Sequence, residues 1–89
     1  MSEFILTRPR HAPQVTEHVL LQELWQACGP TDRVEHIRVH VSRAGAKGVV
    51  FSLAADPSRA RTECQELCLR ALSQSPHLRA WSALPARAL

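Results

Sequence analysis

Apolar and polar side chains alternate over residues 34–43. The apolar set is Ile37, Val39 and Val41, and the polar set is His36, Arg38, His40 and Ser42. A period of two is typical of a strand that buries one face and leaves the other in water. Residues 42–48 contain Gly45 and Gly48 and predict a turn, and residues 49–55 predict the second strand of a β-hairpin.

The second strand of this hairpin has two faces of unequal size. Its larger side chains are Val49, Phe51 and Leu53, and its smaller ones are Val50, Ser52 and Ala54. Burying large apolar side chains stabilises a fold most, so we expect the larger set to face the core together with Ile37, Val39 and Val41. The smaller set is then predicted to lie on the opposite face of the sheet, the open face, which points away from the core.

An amphipathic helix is predicted on each side of the hairpin. Over residues 14–28 the apolar positions recur at helical spacing, and Gly29 and Pro30 end the pattern; the predicted core face carries Leu21, Leu24, Trp25 and Cys28. Asp56 and Pro57 are a strong start signal for the second helix, and Ser75 and Pro76 end it. Its apolar stripe is Ala60, Cys64, Leu67, Cys68, Ala71 and Leu72, and the mixed charges of Arg59, Arg61, Glu63, Glu66 and Arg70 predict a solvated face.

Short apolar runs at both ends of the chain predict two more strands. Residues 4–6 form the first, and residues 78–84, which end before Pro85, form the last. The order βαββαβ predicts one α+β domain over residues 1–89, a ferredoxin-like plait with a four-stranded antiparallel sheet and two helices on one face. The tail from about residue 85 is predicted to be flexible.

Composition changes this picture little. The chain has 89 residues, 45% hydrophobic and 21% charged, which is ordinary for one soluble globular domain, and its net charge of +3 is too small to indicate a nucleic-acid partner by itself. The chain lacks a segment of about 20 apolar residues and a signal-peptide pattern, and its three cysteines favour a reducing compartment. We therefore predict a cytoplasmic protein without a membrane partner.

The open face of the predicted sheet is the main functional hint. It carries His36, Arg38 and His40, and Trp81 on the last strand is a candidate anchor for a contact with a partner. A partly apolar open face and exposed edge strands are surfaces that proteins of this size commonly cover by association. We predict a small non-enzymatic interaction module, regulatory or accessory, that binds another protein or itself as a homodimer and needs no cofactor.

RNA binding is a second hypothesis. Residues 47–53 of the hairpin overlap the start of the RNP1 pattern of RNA-recognition motifs, and the segment Lys47-Gly48-Val49-Val50-Phe51 resembles it, with valine at the first aromatic position. Under this hypothesis RNA binds the sheet face around Arg38, Lys47 and Phe51, because such motifs stack bases on aromatic side chains of the open face. Phe4 on the first strand is the candidate for a second stacking residue.

A metal- or thiol-dependent protein is the third hypothesis. His36 and His40 lie four positions apart on a strand, about 13 Å, which is too far for both to bind one ion, so no metal site is predicted there. Cys64 and Cys68 lie one turn apart on the second helix, but their stripe predicts core positions, as does that of Cys28. The sequence also lacks a recognisable catalytic triad or nucleotide-binding glycine motif, which favours a protein that is not an enzyme.

Overall fold

A computed structural model of the chain describes residues 1–30, 32–53 and 56–88 and confirms the α+β class. Two helices pack on each other and share one hydrophobic core with the inward side chains of an antiparallel sheet. The elements in chain order are β1 (Ser2–Thr7), α1 (Glu17–Ala27), β2 (Val34–Ser42), β3 (Gly45–Ser52), α2 (Pro57–Gln74), a 3₁₀ turn (Pro76–Leu78), β4 (Ser82–Ala83) and β5 (Arg87–Ala88).

The sheet has five strands rather than the four predicted. Its order is β2-β3-β1-β4, and β5 also pairs with β1, so the two short C-terminal strands share one neighbour. The last strand, predicted over residues 78–84, is shorter in the structure. Its first residue, Leu78, belongs to the 3₁₀ turn that Pro76 starts, and only Ser82 and Ala83 pair with β1. Beyond residue 85, Arg87 and Ala88 form β5, and the Ala86 N–H donates to Gln65 Oε1 on α2 at 2.5 Å.

Local signals place the ends of the helices well. Asp56 Oδ1 accepts a hydrogen bond from the Arg59 N–H at 2.8 Å, which confirms the predicted cap of α2. The first helix starts later than predicted because the hydroxyl of Thr16 accepts from the Val19 N–H at 3.1 Å. Its buried stripe is Leu20, Leu24 and Ala27, so the prediction that Trp25 lies in the core is wrong, and this side chain is 40% exposed.

The predicted facing of β3 is wrong. The hairpin loop contains only Arg43 and Ala44, so Ser42 pairs with Gly45 and Ile37 pairs with Val50. Residues directly opposite each other in an antiparallel pair share a face, and therefore Val50 is buried with Ile37. Phe51 turns to the open face, and Leu53 is 61% exposed. Ser52 is half-buried, and Ala54, predicted to face outward, lies outside the described residues.

The sheet side of the core is built around β1. Phe4 and Leu6 point inward, and the ring of Phe4 lies over Gly48 on β3, where a side chain would collide with it. Phe4 is 1% exposed, which removes it from the open face and corrects its predicted role in base stacking. Small residues on β3 therefore make room for a large one on β1.

Arg70 joins the two helices rather than lying on a solvated face. Its Nε donates to the Ala27 carbonyl at the end of α1 at 3.0 Å, and its Nη2 donates to Asp32 Oδ2 at 2.5 Å. The same carboxylate oxygen accepts from the Gly29 N–H at 2.6 Å. One arginine thus satisfies a terminal carbonyl of α1 and anchors the connection to β2.

Candidate functional site

The sheet face turned away from the helices brings the predicted surface residues of β2 together. His36, Arg38 and His40 are all exposed on it. Across the hairpin, His40 is opposite Lys47, Arg38 is opposite Val49, and His36 is opposite Phe51. We call this surface, with the β1 residues Glu3, Ile5 and Thr7, the open face.

Phe51 lies on this face, where the RNA-binding hypothesis placed it, and not in the core, where the size of the β3 side chains placed it. Its ring centroid lies 5.7 Å from that of His36, with the planes tilted by 44°. Such a tilted contact is favourable between π systems and leaves part of both rings accessible. The length of the hairpin loop decides this placement, because it sets which side chains of β3 share a face with His36.

Positive charge dominates the open face. Arg38 and Lys47 are exposed, whereas the carboxylate of Glu3 forms an ion pair with Arg87 of β5 at 2.7 Å. A shallow depression of about 310 Å³ lies among Glu3, Arg38, His40, Lys47 and Val49. The face therefore combines two cations with a partly apolar centre.

The outer edge of β2 is a second feature of the same region. This strand ends the sheet order, so the edge away from β3 is unpaired within the described part of the chain. Glu17 of α1 reaches this edge: its Oε1 accepts from the Val41 N–H at 3.4 Å and lies 3.6 Å from His40 Nδ1. Beside the edge, a depression of about 540 Å³ separates α1 from β2 and is lined by Glu17, His18, Leu21, Ile37, Arg38 and Val39.

Trp81 is not on this surface. It is 6% exposed and belongs to the core, although it was predicted to anchor a contact with a partner. Its indole N–H is buried without a hydrogen-bond partner within the described residues, which costs stability. The backbone turns sharply just before it, since Ala80 has a φ of 73°.

The cysteines lie away from the open face. Cys64 and Cys68 are 0% and 1% exposed inside the core. A hydrogen bond between the two thiols, together with burial, raises the pKa of Cys68 well above its ordinary range. Burial and the carboxylate of Asp32 raise the pKa of Cys28. The same hydrogen bond lowers the pKa of Cys64, so for this thiol the case for a packing role rests on its burial in the core. Thiolates are the reactive and metal-binding form, so the raised pKa values of Cys68 and Cys28 favour packing.

His36 and His40 remain on separate cross-strand pairs. His36 contacts Phe51, whereas His40 lies by Glu17. In the described ranges, no group of three or more His, Cys, Asp or Glu side chains is placed to hold a metal ion.

Comparison with known proteins supplies no relative for this chain. No family model, curated protein or solved structure matches it. Neither of the two helices in the described part is long and apolar enough to cross a bilayer. The open face and the outer edge of β2 are therefore the surfaces from which a function can be inferred.

Proposed function

We propose that this chain is a small non-enzymatic interaction module that self-associates through the side of its sheet formed by β2. We further propose that its architecture is a ferredoxin-like plait with β5 added. The strand order β2-β3-β1-β4, with both helices sharing one core, supports that assignment. The module has a regulatory or accessory role and acts in the cytoplasm.

The observation that carries this proposal is the outer edge of the nine-residue β2, with which no other strand of the described residues pairs, beside exposed His36, Arg38 and His40. A long edge strand presents unpaired N–H and C=O groups, and proteins usually cover or disrupt such an edge. The opposite edge of the sheet offers much less strand for pairing, because β4 and β5 have only two residues each. The open face is also more polar near β2 than a core surface, which suits a contact that forms between folded chains.

Self-association should respond to the charge of Arg38. We expect sedimentation velocity to show a mass above one chain at micromolar to millimolar concentration. Arg38→Glu should raise the dissociation constant about tenfold, which corresponds to about 1.4 kcal/mol, because reversing an exposed charge at a contact disturbs charge complementarity.

The matched control is Arg61→Glu, the same charge change at an exposed position of α2, which is not part of the open face. It should leave the dissociation constant within about twofold of the unmodified protein. A protein that stays monomeric at every concentration, with or without these changes, contradicts self-association.

RNA binding is a second candidate, favoured by the position of Phe51. The ring is half-buried on the open face beside His36, with Arg38 and Lys47 on the same face. Single-stranded binding sites combine stacking rings with cations in this way. Against it, Ile5 rather than an aromatic residue occupies the neighbouring position of β1, opposite Lys47.

Phe51→Ala separates this candidate from self-association. If the open face binds RNA, affinity for a single-stranded oligonucleotide should fall with rising salt, and Phe51→Ala should weaken it by about fivefold to thirtyfold, as loss of one stacked base predicts. Val49→Ala is the control, because it shortens a half-buried apolar side chain of the same face without removing a ring. Absence of binding at low salt excludes the candidate.

A further inference from the structure

We infer that two copies of this chain pair antiparallel along β2, with Val39 at the two-fold axis, to form one continuous sheet. This inference rests on the proposed self-association and names its partner as a second copy of the same chain. A two-fold contact is self-complementary, so the same backbone groups of β2 must bond to each other across the axis in both copies.

The backbone groups of alternate β2 residues point to the free edge. In an antiparallel pair, residues alternate between those that bond to their partner and those whose N–H and C=O point away. The Val41 N–H donates to Glu17 Oε1 instead of to β3, so Val41, and by alternation Val39 and Ile37, present their groups outward. Ile37 and Val39 thus offer their outward donors and acceptors to a second strand. Val41 offers its carbonyl, and its N–H must leave Glu17 to bond to the second strand.

Charge favours Val39 over its two neighbours, Arg38 and His40, as the residue at the axis. Centring the axis on Arg38 would place it opposite Arg38 of the second copy, and centring it on His40 would bring two His40–Glu17 pairs together. Like charges directly opposite each other are unfavourable. Centring it on Val39 places Arg38 opposite His40 of the second copy, next to the Glu17 carboxylate that lies 3.6 Å from that ring. The cation of each copy then meets the carboxylate of the other.

Apolar contacts agree with the same register. On the side of the sheet that faces the helices, Val39 meets its own copy and Ile37 meets Val41 of the second copy. The depression between α1 and β2 lies directly beside these residues and is lined by Leu21. Trp25 lies one turn beyond Leu21 on α1, with 40% of its surface exposed, and extends this apolar strip. Pairing along β2 would remove the strip from water.

Val39→Pro tests the edge directly. Proline removes the outward N–H of Val39, which β3 does not use, and such positions on edge strands tolerate proline. The two reciprocal hydrogen bonds at the axis are lost, and the dissociation constant should rise at least about 30-fold. Val39→Ala, which keeps the N–H, is the control and should remain associated. Circular dichroism and thermal unfolding of both variants check that the fold is intact.

Cross-linking tests the register. Arg38 and His40 of the second copy would form a non-hydrogen-bonded pair, with a separation of about 4.5 Å between Cα atoms that a disulfide can span. Arg38→Cys mixed with His40→Cys under oxidised glutathione should give a cross-linked dimer. Each variant alone, and the unmodified protein with its native cysteines, should give none above background.

Each outcome decides between the two claims. A cross-link in Arg38→Cys alone or His40→Cys alone overturns the Val39-centred register. Association that survives Val39→Pro but weakens with Arg38→Glu overturns edge pairing and leaves self-association through the open face. An unmodified protein that is always monomeric overturns both.

Discussion

Gly48→Ala should lower the free energy of unfolding by about 3 kcal/mol, near the upper end for overpacking a core. A methyl group at this position would collide with the backbone carbonyl of Arg38 and would lie 2.5 Å from Cζ of Phe4. The ring could swing away, but the carbonyl belongs to the neighbouring strand, so the hairpin itself must shift. Urea unfolding followed by circular dichroism measures the change.

Gly29→Ala is the matched control for this substitution. An added methyl there meets only Asp32 Oδ2, at an ordinary 3.6 Å. Its effect should stay within about 0.5 kcal/mol, as for surface substitutions that disturb no special feature. Equal stability of Gly48→Ala and Gly29→Ala would show that Phe4 does not pack on β3 as described.

Arg70→Ala should lower the free energy of unfolding by about 2 kcal/mol, the range for hydrogen bonds that involve a charged partner. The change removes the bond to the Ala27 carbonyl and the ion pair with Asp32, whose side chain is only 14% exposed. Arg70→Lys should recover only part of the loss, because one ammonium group cannot reproduce the fork that reaches both partners. Thermal and urea unfolding give the measurement.

Arg61→Ala is the control for Arg70, since Arg61 is an exposed arginine of the same helix. Its effect should be below about 0.5 kcal/mol. If Arg70→Ala proves as mild as Arg61→Ala, the bridge between the helices contributes nothing to stability, and the packing of α1 on α2 alone holds them together.

The helix ends were predictable because their causes are local. Asp56 and Pro57 start α2 through groups within one turn, and Ser75 followed by Pro76 ends it in the same way. The predicted faces of the helices were less accurate. Successive residues of a helix are separated by about 100°, so a modest rotation of α1 about its axis decides whether Leu20 or Trp25 is buried. The pattern of apolar residues is compatible with both orientations.

The candidate site was predictable on one strand and not on the next. His36, Arg38 and His40 share a face because alternation within β2 is enough to place them together. The orientation of Phe51 depended on the length of the hairpin loop, because a loop longer or shorter by one residue would exchange the two faces of β3. The greater bulk of Val49, Phe51 and Leu53 did not predict which face of β3 is buried. Phe4 fills the core space over Gly48, so the inward face of β3 carries the smaller residues Ala46, Gly48 and Val50.

By itself the sequence determined the α+β class, the order of the main elements and the polar strip on β2, since periodicity and capping act over a few residues. Only the tertiary structure decided that β2 is the last strand in the sheet order, that Phe51 faces outward, that Trp81 is buried and that the C-terminal residues form a fifth strand. Those features depend on contacts between segments that are distant in the sequence, such as β1 with β5 and Ala86 with Gln65. Such segments compete for the limited space in a single core. No local pattern encodes the outcome of that competition.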